Sequence, residues 1–218
     1  YNTNKLTDIG AEAVLKSCVV YKQQVNPFNS IFGLRYAGKA QTEEERQKYL
    51  YRFLTGNTIG LTEQNFRLGD NMYADVNNDG KLDQNDIVYL GTDDPKISFS
   101  FNVGAEWKGY AISLVIQGAA QRTILRTRVN NDNEIWCIPM KALYLNTSNQ
   151  SVGNTWSPEN RGAYYPTYSN KNEINDYNYQ ASSWSVEDGS YIRLKNVTLG
   201  FNVPSTFLAK TNAISSCR

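Results

Sequence analysis

Two runs of strict alternation dominate the middle of the chain. Ile97, Phe99, Phe101 and Val103 alternate with Ser98, Ser100, Asn102 and Gly104. Beyond a turn region at 105–109, Tyr110, Ile112, Leu114 and Ile116 alternate with Ala111, Ser113, Val115 and Gln117. A period of two is the signature of a β-strand, and two such runs separated by a turn predict an antiparallel hairpin. The second face is small or polar, which suits water or a polar lumen better than a second hydrophobic sheet. An ordinary one-sided sheet alternates in the same way, so the pattern leaves both environments open.

A third run, 191–203, breaks its own rule. Ile192 and Leu194 are apolar on one parity, whereas Val197, Leu199, Phe201 and Val203 are apolar on the other. The switch at Lys195-Asn196 predicts a bulge, or a strand leaving one environment for another. Pro204 should end the strand.

Patterning elsewhere is weaker. Residues 7–17 have modest helical character that Gly10 undermines, and 19–21 suggest a short strand. Residues 26–38 are punctuated by Pro and Gly and predict a strand or an irregular connector. Thr42-Glu43-Glu44-Glu45 opens a short helix: Thr42 caps, Glu45 completes a capping box, and the acids face the positive end of the helix. Tyr49, Leu50 and Phe53 supply the apolar stripe. From 121 to 188 periodicity fades into a segment rich in Asn, Ser, Tyr and Trp, of a length that usually belongs to functional loops. The fold class expected is all-β, mainly antiparallel, with one short helix.

The strongest candidate chemistry lies between the helix and the hairpin. Asp75, Asn77, Asp79, Asp83 and Asp86 fall at positions 1, 3, 5, 9 and 12 of a loop whose sixth residue is Gly80. This is the ligand plan of an EF-hand-type Ca2+ loop, in which a hard cation collects oxygen donors and a glycine makes the sharp turn. Lys81 stands at position 7, where the backbone carbonyl is the ligand, so its charge is no obstacle. Asp at position 12 in place of Glu shortens the reach, as in dockerin loops. An Asx-rich turn without metal would use the same residues.

Composition narrows the remaining choices. The chain has 218 residues, 22 Lys plus Arg against 21 Asp plus Glu, and a net charge of +1, which gives no reason to expect nucleic acid as a partner. Its negative charge is nevertheless concentrated, with seven Asp and one Lys between Asp70 and Asp94. With no histidine, the chain holds no Ser-His-Asp or Cys-His catalytic unit and no His-ligated zinc or iron. Cys18, Cys137 and Cys217 lack metal-ligand spacing, and free thiols or one adventitious pair account for them. A glycosidase would need two carboxylates about 5–10 Å apart, but the richest acidic cluster is already assigned to calcium, so no enzyme is expected. No window approaches the roughly 18 apolar residues of a membrane helix, although a membrane strand needs only about 9–11. The aromatic content of 12%, including fifteen Tyr, suits the aromatic girdles of a membrane barrel.

Several segments, in order, resemble landmarks of SusC/RagA-type TonB-dependent outer-membrane transporters. They are NPFNSIFGLRYAGKAQTEEE, GDNMYADVNNDGKLDQNDIVYLG, DDPKISFSFNVGAEWKGYAISLVIQGA, NTWSPENRGAYYPTYS and SYIRLKNVTLGFNVP, spread over residues 26–208. The resemblance implies that 1–218 is a single region from the C-terminal half of a large transmembrane β-barrel. On that pattern 97–103, 110–116 and 197–203 are membrane strands with apolar side chains toward outer-membrane lipid, and 191–195 extend above the bilayer. The loop at 75–86 and the segment 121–188 become extracellular loops. Family members import oligosaccharides or peptides across the Gram-negative outer membrane, with energy from TonB and a SusD-like surface lipoprotein as lid. The family's plug, TonB-contacting box and closing strands have no counterpart in these residues, so the chain is expected to act as part of a larger or split assembly. Trp136, Trp156, Trp184 and the tyrosines at 164, 165, 168, 177 and 179 are candidates for stacking on sugar rings, or for packing the loops. The competing expectation is a soluble extracytoplasmic glycan-binding β module steadied by calcium.

Overall fold

The structure is a computed structural model that describes residues 1–5, 14–16, 20–22, 26–126 and 151–203. In chain order the elements are β1 (Val14–Lys16), β2 (Val20–Lys22), β3 (Ser30–Leu34), β4 (Tyr36–Lys39), α1 (Glu43–Phe53), β5 (Asn71–Tyr73), a 3-10 turn (Gln84–Asp86), β6 (Ile87–Thr92), β7 (Ile97–Trp107), β8 (Tyr110–Ala120), β9 (Thr123–Leu125), α2 (Asn172–Asn178), β10 (Val186–Asp188) and β11 (Tyr191–Phe201). Strands β1, β2, β3 and β6 form one sheet, β4 and β5 a second, β9 and β10 a third, and β7, β8 and β11 a fourth. The paired ladders are antiparallel, so the mainly antiparallel all-β class is what forms. The helical tendency of 7–17 gives way to strand β1 over 14–16. The punctuated segment 26–38 yields β3 and most of β4. The three cysteines lie outside the described residues.

The chain divides into two compact units. Among the described residues the first comprises 1–3, 95–122 and 188–203, and the second comprises the rest.

The first unit is built on the three-stranded sheet in the order β11-β8-β7. The predicted hairpin forms, and its strands run further than the periodicity alone suggests, to Trp107↔Tyr110 at one end and Ile97↔Ala120 at the other. Lys108 and Gly109 close it with φ of 47° and 87°. Positive φ at both central residues is the primed turn whose twist matches the two strands. In β11 the register shifts between Leu194 and Asn196. The bulge resolves the two alternatives left by the sequence: it absorbs the parity switch. Leu194 pairs with Ile116 before it, and Val197 with Leu114 after it, so both apolar series lie on one face.

That face is not covered within the unit. Phe101, Val103, Trp107, Tyr110, Ile112, Leu194, Val197, Leu199 and Phe201 are all exposed. The opposite face carries Ser98, Ser100, Asn102, Glu106, Ser113, Gln117, Arg193 and Thr198, with Arg193 donating to the Gln117 side chain at 3.0 Å. A sheet with an exposed apolar face and a polar reverse face inverts the arrangement of a water-soluble one-sided sheet, whose apolar face packs on a core.

The second unit has a conventional core. Helix α1 begins as expected: Thr42 accepts the Glu45 N–H, and Glu45 accepts the Thr42 N–H. It buries Tyr49, Leu50 and Phe53 against Leu34, Leu61, Phe66, Tyr73, Leu82 and Tyr177. The rings meet mostly edge to face, as Tyr49–Phe53 and Phe66–Tyr177 do, the arrangement that ring quadrupoles favour. Part of the long segment 121–188 folds into this core. Helix α2 contributes Tyr177, and Asn178 holds β5 by accepting the Asn71 N–H at 2.8 Å and donating to Asp70 at 2.9 Å. Arg67 closes the network with an ion pair to the fully buried Asp70 at 3.2 Å, donating as well to the Thr167 and Tyr168 carbonyls. Gly69, at φ 81°, lies against Trp156, where an added Cβ would come within 2.2 Å of the indole.

Candidate functional site

The loop at 75–86 belongs to the second unit, between β5 and β6. Its turn needs two left-handed residues, Asn78 at φ 60° and Gly80 at φ 81°, and Asn and Gly adopt that region most readily. Leu82 anchors the loop by burying itself fully in the core beside α1. Its position between two ligand candidates was visible in the sequence only as one apolar residue among polar ones.

The side chains turn inward onto loop amides. Asp75 accepts the Asp79 N–H at 3.2 Å with Oδ1 and the Gly80 N–H at 2.9 Å with Oδ2. Asn77 accepts the Asp79 N–H at 3.0 Å and donates to the Asp79 carboxylate at 3.0 Å. Asp79 in turn accepts the Lys81 N–H at 2.8 Å. Asp83 caps the 3-10 turn by accepting the Asn85 N–H at 2.7 Å. The fully buried Asp86 spans the loop, accepting the Val76 N–H at 2.7 Å with one oxygen and the Asp83 N–H at 2.9 Å with the other. Arg52 from the last turn of α1 pairs with Asp75 Oδ2 at 3.0 Å. Burial alone would raise the Asp75 carboxyl, but the Gly80, Asn78 and Asp79 amides and the Arg52 guanidinium outweigh it and hold its pKa below the usual carboxylate value.

The donor chemistry and the backbone turn fit a hard divalent cation, since oxygen atoms at positions 1, 3, 5, 9 and 12 belong to one tight loop. The conformation itself directs those oxygens to backbone amides and to Arg52. Among the described residues no group of three or more His, Cys, Asp or Glu side chains gathers closely enough to hold a metal. An ion would therefore draw its ligands by competing for lone pairs already partly engaged.

The aromatic candidates separate by burial. Trp156, Tyr165, Tyr177 and Tyr179 are buried, and Trp156 donates its indole N–H to Gln41 at 2.9 Å, so these four pack the unit. Trp136 lies outside the described residues. Tyr164 and Tyr168 are exposed. Tyr164 stacks on the half-buried Trp184 at a centroid distance of 5.2 Å and an interplanar angle of 28°.

With this geometry in place, the relatives can be set beside it. The chain is similar to TonB-dependent receptors. It is 27% identical over 143 residues to TonB-dependent receptor P3 of Formosa agariphila, which covers 66% of this chain and 13% of that protein. It is 30% identical over 141 residues to TonB-dependent receptor P26 of the same organism, covering 63% of this chain and again 13% of the relative. The chain thus matches about an eighth of the length of these curated relatives, both named as receptors. No family profile matches the chain.

Around Tyr164 the structure assembles a second cluster of functional groups. Arg126 contacts the Tyr164 hydroxyl and pairs with Glu187 through an Nε–Oε1 contact of 2.9 Å that lacks hydrogen-bond geometry. Tyr164 donates to the Trp184 carbonyl at 3.2 Å. Next to Tyr164 in the chain, the Ala163 carbonyl accepts from Lys39 at 3.1 Å, and Lys39 also donates to the Tyr36 hydroxyl at 3.4 Å. No pattern in the sequence points to this cluster, because its members come from β4, the end of β9 and the 151–187 segment.

Proposed function

We infer that the chain is part of the wall and outer loops of an outer-membrane β-barrel belonging to a TonB-dependent importer. The observation that carries this reading is the β7-β8-β11 sheet, with its exposed aliphatic and aromatic face and its polar reverse face. In a barrel that face meets lipid and the other a polar lumen. Strands of eleven residues have the length a tilted strand needs to cross the hydrocarbon layer. The similarity to two TonB-dependent receptors supports the same reading. On this reading the protein sits in the Gram-negative outer membrane and draws its energy from TonB.

The SusC/RagA subtype is the finer proposal. It brings with it a SusD-like surface lipoprotein as lid and an oligosaccharide or peptide as cargo, and it rests on the ordered sequence segments. Calcium in the 75–86 loop is part of the proposal. Asp75, Asn77, Asp79, the Lys81 carbonyl, Asp83 and Asp86 would hold it, and the ion would cross-link a loop whose far side is anchored by Leu82. Outside the cell, where calcium is abundant, a site closed by Asp would stay filled, so the ion is scaffolding and not a switch.

Fractionation of cells producing the intact protein tests the reading. The protein should partition with outer-membrane β-barrels and require detergent for extraction. Recovery as a monomer in detergent-free buffer would overturn it in favour of the soluble, calcium-steadied glycan-binding module.

A further inference from the structure

The exposed face of the β7-β8-β11 sheet changes character at its turn end. Trp107, Tyr110 and Phe201 stand in one register row across the three strands. All three are exposed, and the Tyr110 and Phe201 rings lie 4.7 Å apart. The next row on the same face is Ala105, Ile112 and Leu199. Ala105 is its small member, and a trough of about 450 Å³ opens among these six residues. That volume falls within the roughly 300–1,000 Å³ of ligand sites, and the lining is almost wholly apolar. One end of the trough carries charge: the Lys108 ammonium lies 4.7 Å from the Trp107 ring centroid. Lys108 is exposed, and no carboxylate pairs with it among the described residues. A primed turn favours Asn or Gly at its first central position, yet Lys108 occupies it at φ 47°, where a side chain adds strain.

We propose that this trough seats one acyl chain of an anionic phospholipid whose phosphate meets the Lys108 ammonium. An apolar trough with a cation at one end complements an amphiphile, a hydrocarbon tail with an anionic head. A chain of methylenes fits such a lining better than a polar solute does. Outer-membrane barrels keep their short turns on the periplasmic side, so the two-residue turn at Lys108-Gly109 meets the phospholipid leaflet. Trp and Tyr rings favour the headgroup level, and a Lys there lays its methylenes along apolar surface while its ammonium stays among the headgroups. A charge-assisted bond from ammonium to phosphate is stronger than a neutral one. The proposal rests on the membrane-wall reading, but that reading needs only lipid against the face, with neither a seat nor a preferred headgroup.

The test is tryptophan fluorescence of the intact protein in vesicles whose phosphatidylglycerol or phosphatidylcholine carries brominated, quenching acyl chains. The share of Trp107 is the signal lost in Trp107→Phe. At Trp107 phosphatidylglycerol should be selected over phosphatidylcholine by about fivefold, the increment that one Lys supplies near an anionic surface. Lys108→Gln should remove the preference. Ala105→Leu, which fills the trough on a face already apolar, should remove it too, with the gel shift on heating confirming that both variants assemble. Lys96→Gln, at the other end of β7, should leave the preference unchanged. Equal quenching of Trp107 by the two lipids would overturn the proposal and leave the membrane wall standing. So would a preference that survives Lys108→Gln or Ala105→Leu, or one that Lys96→Gln removes equally. Absence of Trp107 quenching by either lipid would overturn both.

Discussion

Leu199 stands directly opposite Ile112 in the β8–β11 ladder, and both side chains are exposed, to 75% and 42%. Two aliphatic groups paired on one strand face and left open form a surface that water does not favour and lipid does. Arginine at Leu199 or Phe101 should therefore impair assembly in the outer membrane, by roughly 2–4 kcal/mol if the residue lies at midplane depth. Thr198→Arg and Ser100→Arg, one residue away on the polar face, should be tolerated. The shift on gels between heated and unheated protein reads the result. Equal tolerance of all four substitutions would mean that the sheet is not a membrane wall.

Calcium makes a separate prediction. If the 75–86 loop binds the ion, adding calcium should raise the melting temperature of the intact protein, and a chelator should reverse the rise. Asp79→Ala removes a proposed ligand that also accepts the Asn77 side-chain amide and the Lys81 N–H, and should abolish the calcium-dependent rise. An unchanged melting temperature with either calcium or chelator would remove the metal from the account.

Tyr49 offers a test of the second unit's core. Its hydroxyl accepts the Tyr73 N–H at 2.9 Å and lies 3.2 Å from the Tyr177 hydroxyl. Burial pushes its phenol up to about 12, so it stays a neutral donor and acceptor across the physiological range. Tyr49→Phe keeps the ring contacts but leaves a buried N–H without its partner, which costs about 1–3 kcal/mol. Denaturant unfolding measures the loss. A variant as stable as the parent would show that another group takes over the Tyr73 amide.

Gly69 is the position where backbone and packing coincide. At φ 81° an L side chain is strained, and a Cβ would press into the Trp156 indole and the Thr167 hydroxyl. Gly69→Ala should cost at least about 1–3 kcal/mol from backbone strain alone, and more from displaced packing. A melting temperature within a degree of the parent would contradict this geometry.

Local signals in the sequence were read correctly where the deciding physics is local. The capping box of Thr42 and Glu45, the buried stripe of α1 and the period-two hairpin all depend on residues within a few positions of each other. The parity switch at Lys195-Asn196 foretold the irregularity in β11, but only the ladder shows that it is a bulge that keeps Ile192 and Leu199 on one face. The aromatic residues of 151–187 could not be sorted by type. Tyr177 is a core residue and Tyr164 a surface one because α2 and β5 bring distant segments together. The Lys39–Tyr164–Arg126 cluster was invisible for the same reason, since its members are separated by up to 125 positions.

The sequence by itself determined the long strands of the β7-β8-β11 sheet, the helix start, the order of loop oxygens and the absence of histidine chemistry, because alternation, capping and ligand spacing are short-range properties of a chain. The tertiary structure alone decided that the three long strands share one exposed apolar face. It also decided that the loop carboxylates turn onto backbone amides and Arg52, and that Lys39 is left without a carboxylate among the described residues. Each of these depends on which side chains meet across strand pairs and between remote segments, and long-range packing sets that.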